Sequence, residues 1–391
     1  MNRRVQSPGA AAIGSGLTLS ARARWRRFGA VMAGVALVAV AGCSSSDDDG
    51  SAASTAAVDT TDTAATTVAP ATTTPETTDA AETTAVPETT AGSDPAPSVA
   101  PTTDAPTSRI VEHAFGETEV PANAERIVVT SGGTLLPTLL ALGIPVVGAP
   151  FPDEPIPTVL VTEDDLVGVE SVGFPDISLE RVAALDPDLI IGFDDGLEET
   201  YDEFSQIAPT IAIESDLNDW RGTAERIAES VDASDEMAVQ LDEYDARVAD
   251  LQEQFADELS SEVSVVRALG DQIRLHTRYH FAGQILDDVG FARPASQQTD
   301  DPSERFIQVS LEQLELADGD IVFVFGAGSL GSAGEGIDDS IQAIVDSPLY
   351  PTLRIANNGG ITVVDPLAWQ QGGLPAALLI LDDIEATLAN A

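Results

Sequence analysis

Lysine is absent from the sequence, and cysteine occurs once. All 18 basic residues are arginines, and they stand against 65 acidic residues, so the formal net charge is -47 over 391 residues. A nucleic-acid-binding protein needs a broad basic face to neutralise phosphates, and this composition excludes one. A single cysteine excludes an internal disulfide bond and a cysteine-rich zinc or iron–sulfur site. The 43% of hydrophobic residues is nevertheless enough for a sizeable folded core.

Motifs of common enzyme classes are also missing. The sequence has no Gly-x-Ser-x-Gly elbow, no cysteine nucleophile and no His-Glu-x-x-His helix. Three histidines, without a His/Asp/Glu cluster at ligand spacing, do not predict a zinc or manganese site. The glycines that follow Ser131 do not form a phosphate loop, because the lysine of that motif is absent. We therefore expect a protein that is not an enzyme and has no cofactor or resident metal.

The first 42 residues have the pattern of a secretory signal peptide. Residues 1–27 carry six arginines and no acid, and an apolar run of 15 residues follows from Phe28 to Gly42. This run is shorter than the roughly 20 residues of a transmembrane helix and ends in small residues. The sequence Val-Ala-Gly-Cys that ends at Cys43 resembles the lipobox of bacterial lipoproteins, which implies a lipid anchor on that cysteine. The alternative is a free thiol behind an ordinary signal peptide.

A long polar segment follows the cysteine. Between Ser44 and Ser108 there are 18 threonines, 15 alanines, 7 prolines and 11 acids, but no aromatic residue, leucine or isoleucine. Such a segment cannot bury enough apolar surface to offset its chain entropy, so residues 43–108 are expected to be an anchored, disordered linker. The remaining residues, 109–391, keep 12 arginines and 54 acids. This folded part should repel polyanions in general.

Residues 109–391 have the pattern of an α/β fold in two similar halves. Short β-branched runs alternate with helical segments from Arg126 onward, which favours mostly parallel strands. The pattern occurs in residues 109–233 and again in 261–391, so we expect two Rossmann-like lobes with a ligand cleft between them. Apolar residues recur at helical spacing from Met237 to Phe255, which predicts one long helix, placed at 234–260, that joins the lobes.

An internal repeat supports the two-lobe prediction. The sequence Ser178-Leu-Glu180 and the sequence Ser310-Leu-Glu312 each precede an Asp-x-Asp turn and a buried strand. Each serine suits the N-cap of a short helix, and each glutamate is favoured near the positive end of the helix dipole.

The folded part resembles the iron-siderophore substrate-binding lipoproteins of ABC transporters, whose two lobes are bridged by one rigid helix. Besides the two Ser-Leu-Glu copies, the matching stretches are 125–129, 140–148, 201–209, 283–290 and 381–385. The resemblance implies a monomeric receptor on the outer face of the cell membrane that captures a ferric siderophore and delivers it to a permease dimer. It also implies that Glu180 and Glu312 dock on that permease.

The ligand site is predicted from the positions of the arginines. Five of the 12 arginines of the folded part fall between Arg267 and Arg305, together with two of the three histidines. In so acidic a protein this local excess of positive charge indicates an anionic ligand, since guanidinium groups bind carboxylate, catecholate and hydroxamate oxygens. The candidate ligand-binding residues are Arg267, Arg274, His276, Arg278, Tyr279, Trp220 and Trp369.

The sequence leaves several alternatives open for these residues and for the ligand. Some of these arginines could pair with neighbouring acids such as Asp271 and Asp287, and both tryptophans could equally pack in the core. Haem could bind through Tyr279 or a histidine, and the fold by itself also admits cobalamin. A sensor that binds a siderophore without transporting it would keep the cleft and would not need the two docking glutamates.

Overall fold

The computed structural model describes residues 107–153, 157–326 and 337–390. The predicted signal peptide, lipidation site and most of the predicted linker lie outside these residues. An antiparallel hairpin opens the described part, with strands β1 (Ser108–His113) and β2 (Gly116–Pro121). Ser108 already pairs with Pro121, so the fold begins one residue before the boundary expected from composition. The hairpin is tied to the first lobe by a hydrogen bond from the Ala114 amide to the Ala212 carbonyl (2.9 Å).

The first lobe contains a parallel sheet with the strand order β5-β4-β3-β6-β7. Its strands are β3 (Ile127–Val129), β4 (Val146–Ala149), β5 (Glu170–Ser171), β6 (Leu189–Phe193) and β7 (Thr210–Ile213). Its helices are α1 (Leu135–Ala141), α2 (Leu179–Ala184), α3 (Asp194–Leu197), α4 (Tyr201–Phe204) and α5 (Trp220–Ser230). The central strands are apolar on both faces, as is typical of a parallel sheet covered by helices.

One long helix, α6 (Ser234–Gln254), connects this lobe to the next. Its buried residues follow one face at helical spacing, and they are Met237, Leu241, Tyr244, Val248 and Leu251. The helix ends earlier than the predicted boundary at 260. Phe255 leaves helical geometry (φ -119, ψ 33) and is itself buried, so the chain turns there to insert this ring into the core.

The second lobe contains a mixed sheet with the strand order β10-β9-β8-β11-β12. Its strands are β8 (Val263–Leu269), β9 (Gln272–His276), β10 (Phe306–Ser310), β11 (Ile321–Phe325) and β12 (Thr362–Val363). Its helices are α7 (Phe281–Val289), α8 (Ile337–Val345), α9 (Arg354–Asn357), α10 (Pro366–Gln370) and α11 (Leu374–Leu388). Among the described residues, no helix is long and apolar enough to cross a membrane.

Strand β9 is antiparallel to both of its neighbours, whereas β8, β11 and β12 are parallel. The reason is the two-residue turn between Leu269 and Gln272, in which Gly270 adopts a positive φ of 79°. So short a connection can join only antiparallel strands, because parallel strands need a long crossover. The expectation of mostly parallel pairing therefore applies to the first lobe throughout and to three strands of the second.

The internal repeat occupies equivalent places in the two lobes. The Ser178 hydroxyl accepts a hydrogen bond from the Arg181 amide (3.3 Å) and caps α2, while Ser310 caps a 3-10 helix at Leu311–Ala317 in a capping box. The strands that follow, β6 and β11, lie centrally in their sheets. Both predicted N-caps are thus confirmed, although the second copy forms a 3-10 helix instead of an α-helix.

The packing of α11 generates a prediction about pH. Burial raises the pKa of Asp383 to about 6, even though its carboxylate accepts a hydrogen bond from the Trp369 indole (2.8 Å). The folded protein therefore holds this proton more tightly than the unfolded chain, so stability falls as the pH rises from about 4 to about 6. Asp383→Asn should gain about 3 kcal/mol of unfolding free energy at pH 8, and the gain should vanish near pH 4.

Urea denaturation from pH 4 to pH 8 measures this difference. Asp250→Asn, at an exposed position of the bridging helix, serves as the control and should change stability by less than about 0.5 kcal/mol. A gain for Asp383→Asn that is the same at every pH would contradict the proposed cause.

Candidate ligand-binding site

Two arginines lie opposite each other at the carboxyl end of the second sheet. Arg267 on β8 and Arg274 on β9 form a direct cross-strand pair, so their side chains leave the same face. Burial lowers the pKa of Arg267, and repulsion from Arg274 lowers it further. The Arg274 guanidinium lies 4.1 Å from the ring centroid of Phe306 on β10, a cation–π contact. These two neighbouring cations therefore lie on one face of the sheet.

His276 and His280 form a pair close to Arg267. His276 shares the sheet face of Arg274, two residues away on β9, and its ring centroid is 3.7 Å from that of His280. His276 also packs against Phe325, and both histidines are buried. Burial lowers the pKa of His280 to about 3 and holds the pKa of His276 well below its ordinary value, and nearby arginines add to both shifts. Both rings are therefore uncharged at neutral pH.

Two further arginines, Arg293 and Arg305, border the histidine pair. Arg293 is 7% exposed and donates hydrogen bonds to the His276 carbonyl and to the Gln297 side chain (2.9 Å). Burial lowers its pKa to about 10. The Arg305 Nε donates to the Tyr279 carbonyl (3.3 Å). Both arginines belong to the sequence cluster between Arg267 and Arg305 but are not among the predicted ligand-binding residues, although the same charge excess pointed to them.

The remaining candidates of the segment are placed differently. Arg278 is exposed, and its guanidinium forms an ion pair with Asp287 (2.6 Å), which is the alternative that the sequence left open. Tyr279 is half-buried, and its carbonyl receives Arg305. The structure therefore brings Arg267, Arg274 and His276 together on one face of the second sheet. Arg278 lies at the surface, where its charge is paired with Asp287.

Both tryptophans are core residues. Trp369 is fully buried with its ring centroid 4.5 Å from that of Phe323. Trp220 is 5% exposed and packs edge-to-face on Tyr244 and Phe281, at centroid distances of 5.1 and 6.1 Å. Core packing, which the sequence left as an equal alternative, is what the structure shows, and neither ring presents a face on which a ligand could stack.

Gln284 connects this part of the second lobe to the first lobe. Its side chain donates to the Leu217 carbonyl (3.0 Å) and accepts a hydrogen bond from the Trp220 amide (3.3 Å). Leu217 belongs to the segment that follows the carboxyl end of β7. This contact places α7, which His280 precedes, beside the segment that follows the carboxyl end of β7. Open α/β sheets commonly bind ligands at the carboxyl ends of their strands.

A second set of contacts holds α5 and α7 against the bridging helix. Arg221 forms ion pairs with Asp245 (2.5 Å) and Asp288 (3.5 Å), and its guanidinium lies 4.8 Å from the Tyr244 ring centroid. The Tyr244 hydroxyl donates to Asp288 (2.9 Å). Burial raises the pKa of Tyr244, and the neighbouring Asp288 carboxylate adds to this rise. These contacts join α5 of the first lobe to the bridging helix and to α7 of the second lobe.

The two glutamates of the Ser-Leu-Glu motifs are exposed. Glu180 lies in the first turn of α2, and Glu312 lies in the first turn of the 3-10 helix that Ser310 caps. Each lobe thus presents one carboxylate at the equivalent position of its repeat, which is the arrangement that a two-fold symmetric partner could engage.

Two α/β lobes joined by one long helix are the architecture of a bilobal solute-binding protein. The chain belongs to the periplasmic binding protein family, whose profile matches residues 130–367. It is 35% identical to the probable siderophore-binding lipoprotein YfiY of Bacillus subtilis (strain 168), an alignment that covers 71% of this chain and 87% of that protein.

Two further comparisons agree with this assignment. The petrobactin-binding protein YclQ of the same Bacillus strain is 30% identical, over 68% of this chain and 84% of that protein. The crystal structure of Staphylococcus aureus SirA complexed with staphyloferrin B matches with a TM-score of 0.62 and 26% identity, covering 72% of this chain and 98% of that chain. Both are binding proteins with the two-lobed fold described above.

The contact made by Gln284 can be tested directly. Gln284→Leu should cost about 1–3 kcal/mol of unfolding free energy, because the Leu217 carbonyl and the Trp220 amide lose their partner. Urea denaturation measures the loss, and hydrogen exchange at the Trp220 amide should accelerate. Gln342→Leu, at an exposed position of α8 where the side chain donates to Asp346 just beyond the end of that helix, is the control. Unchanged exchange at Trp220 would show that Gln284 does not hold the lobes together.

Proposed function

We propose that this protein is the extracytoplasmic receptor of an ABC importer, which captures a ferric siderophore between its lobes and delivers it to the membrane permease. The observation that carries the proposal is the cluster of arginines at the carboxyl end of the second sheet, in a protein of net charge -47. The relatives support this proposal. YfiY is described as a probable siderophore-binding lipoprotein and YclQ as a petrobactin-binding protein. The structure of SirA is of its complex with staphyloferrin B.

The receptor binds its ligand without chemical change. The relatives support iron as cargo inside its chelator, since YfiY is described as a probable siderophore-binding lipoprotein and SirA was crystallised with staphyloferrin B. Haem is less well supported, because two of its candidate axial ligands, His276 and His280, are buried with their ring centroids 3.7 Å apart. The descriptions of the relatives favour a siderophore over haem and over cobalamin.

The location follows from the N-terminal sequence. Residues 1–42 would direct export, Cys43 would carry the lipid anchor, and the linker up to residue 108 would let the receptor stand away from the membrane. The lobes, proposed at 109–233 and 261–391, would act as a monomer. The ion pairs around Arg221 and the contact through Gln284 favour a small closure of the cleft when ligand binds.

Glu180 and Glu312 are proposed to dock the loaded receptor on the permease. Their exposure and their equivalent places in the two lobes suit contact with paired basic pockets, where charge complementarity sets register and association rate. This role separates a transport receptor from a sensor that binds the same ligand.

Tryptophan fluorescence tests the ligand assignment. The chain from Ser44 to Ala391 contains two tryptophans, and both are buried, so a ferric complex that absorbs at their emission wavelengths should quench them by energy transfer. We expect saturable quenching by at least one ferric siderophore, and a loss of about tenfold or more in affinity with Arg274→Ala. Saturation by haem alone would overturn the siderophore assignment.

The docking assignment is tested by reversing both charges. Glu180→Arg combined with Glu312→Arg should reduce iron uptake by about tenfold or more, because like charges would then face the permease. Ligand affinity, measured by the same fluorescence titration, should stay within about twofold. The control Glu203→Arg with Glu253→Arg makes the same change of net charge at two other exposed positions. Full uptake by the first double variant would rule out docking through these glutamates.

A further inference from the structure

The two lobes also meet where α1 of the first lobe packs against α11 of the second. Two loops lie at this junction. Residues 131–134 follow the carboxyl end of β3 and lead into α1, and residues 371–373 lead from α10 into α11. Leu142 and Ile144, which follow α1, pack against the apolar cluster that includes the buried face of α11. This junction is therefore an interlobe contact separate from that of Gln284.

On each side of the junction a glycine receives side chains from the other lobe. Gly133 is buried, and a Cβ atom added to it would lie 2.8 Å from Cδ of Gln371. In the reverse direction, a Cβ atom on Gly373 would lie 2.9 Å from Oγ1 of Thr138 and 3.3 Å from Cγ2 of Thr134. Carbon atoms of different side chains pack best at about 3.5–4.0 Å, so a side chain at either glycine would press against the opposite lobe.

The Gln371 side chain reaches Gly133 from a well-supported backbone. The Gln371 amide donates to the Leu367 carbonyl (3.0 Å) at the end of α10. The start of this short helix is capped by Asp365, whose carboxylate accepts a hydrogen bond from the Leu367 amide (2.8 Å). Trp369 of the same helix is fully buried. The backbone of Gln371 is therefore fixed to the second lobe.

The loop that carries Gly133 is likewise fixed to the first lobe. The Thr130 amide donates to the Ile191 carbonyl (2.9 Å), which extends the pairing of β3 with β6 beyond the strand. Gly133 is not among the glycines with a positive φ, so its backbone conformation is one that alanine also adopts. The need for a glycine here therefore arises from the contact with Gln371 and not from the turn.

We infer that Gly133 and Gln371 are a positioning pair, which sets how closely the two lobes approach at the α1–α11 end of the cleft. Residues 131–134 follow β3 directly, and residues 371–373 follow β12 through α10. Open α/β sheets bind ligands beyond the carboxyl ends of such strands, so the pair also sets the width of the cleft that a ligand enters. This consequence for the ligand rests on the proposed function, whereas the contact itself does not.

Exchanging side-chain size between the two positions tests the pair. Gly133→Ala should lower the melting temperature by about 2 °C or more, because the added methyl group overpacks the junction. In a chain that already carries Gln371→Ala, the same change should lower it by less than about 1 °C, because the obstructing side chain is gone. Gly196→Ala is the matched control, since a Cβ atom there would have nothing within 4 Å, and it should not lower the melting temperature.

Spin labels measure the separation of the lobes directly. The chain from Ser44 to Ala391 contains no cysteine, so Glu180→Cys combined with Glu312→Cys places one label on each lobe. Gly133→Ala should change the mean distance between the labels by about 2 Å or more, because a close-packed junction cannot absorb the added group without a shift. Adding Gln371→Ala should restore the original distance.

The effect on ligand binding is measured by the fluorescence titration, with ferric citrate and a ferric tris-catecholate as probes. Gly133→Ala should weaken binding by about threefold or more, because the two walls of the cleft no longer reach the ligand together. Gln371→Ala in the same chain should reverse most of this loss. Gly196→Ala should leave the affinity within about twofold.

The outcomes separate this inference from the proposed function. Additive losses of melting temperature, or a label distance that Gly133→Ala leaves unchanged, would overturn the positioning pair. If Gly133→Ala alone does not fold, recovery of folding on adding Gln371→Ala would support the pair, and failure to recover would refute it. Absence of binding to the unsubstituted chain would count against the proposed function, while the melting temperatures and the label distances still decide the inference.

Discussion

Repulsion between Arg267 and Arg274 is the constraint around which the candidate site is arranged. Like charges held directly opposite each other on adjacent strands destabilise a sheet, so the scaffold has to keep them in place. The two-residue turn at Gly270 sets the register, and the ring of Phe306 supports the Arg274 guanidinium. The buried histidine pair close to them is uncharged at neutral pH. The result is a pair of guanidinium groups held in register on one face of the sheet.

The two lobes contribute unequally to this arrangement. The second lobe supplies the described cations, while the first lobe supplies the segment after β7, held through Gln284. Arg221, Tyr244 and Asp288 join α5, the bridging helix and α7 in one network of ion pairs and a hydrogen bond. These contacts link both lobes to the bridging helix and support the proposed small closure of the cleft. A preorganised cleft loses less entropy when it binds.

Much of the fold could be predicted from the sequence. The repeated Ser-Leu-Glu motif correctly indicated two equivalent lobes, and the spacing from Met237 onward correctly indicated a long connecting helix. These features depend on local pattern and on the period of buried residues. The end of that helix at Gln254 was not predicted, because the insertion of Phe255 into the core is a tertiary contact. The antiparallel placement of β9 depends on a two-residue turn, whose signal is weak beside the general α/β pattern.

The sequence by itself determined the composition of the candidate site, which is a local excess of arginine and histidine in a strongly acidic chain and predicts an anionic partner. Only the tertiary structure decided which partners each of these side chains has. It paired Arg278 with Asp287, placed Arg293 and Arg305 beside the histidines, and buried Trp369 against Phe323. Counting charges along a chain shows that cations are in excess, but their partners are chosen by distance in space. Distance depends on strand register and lobe packing, neither of which a one-dimensional pattern contains.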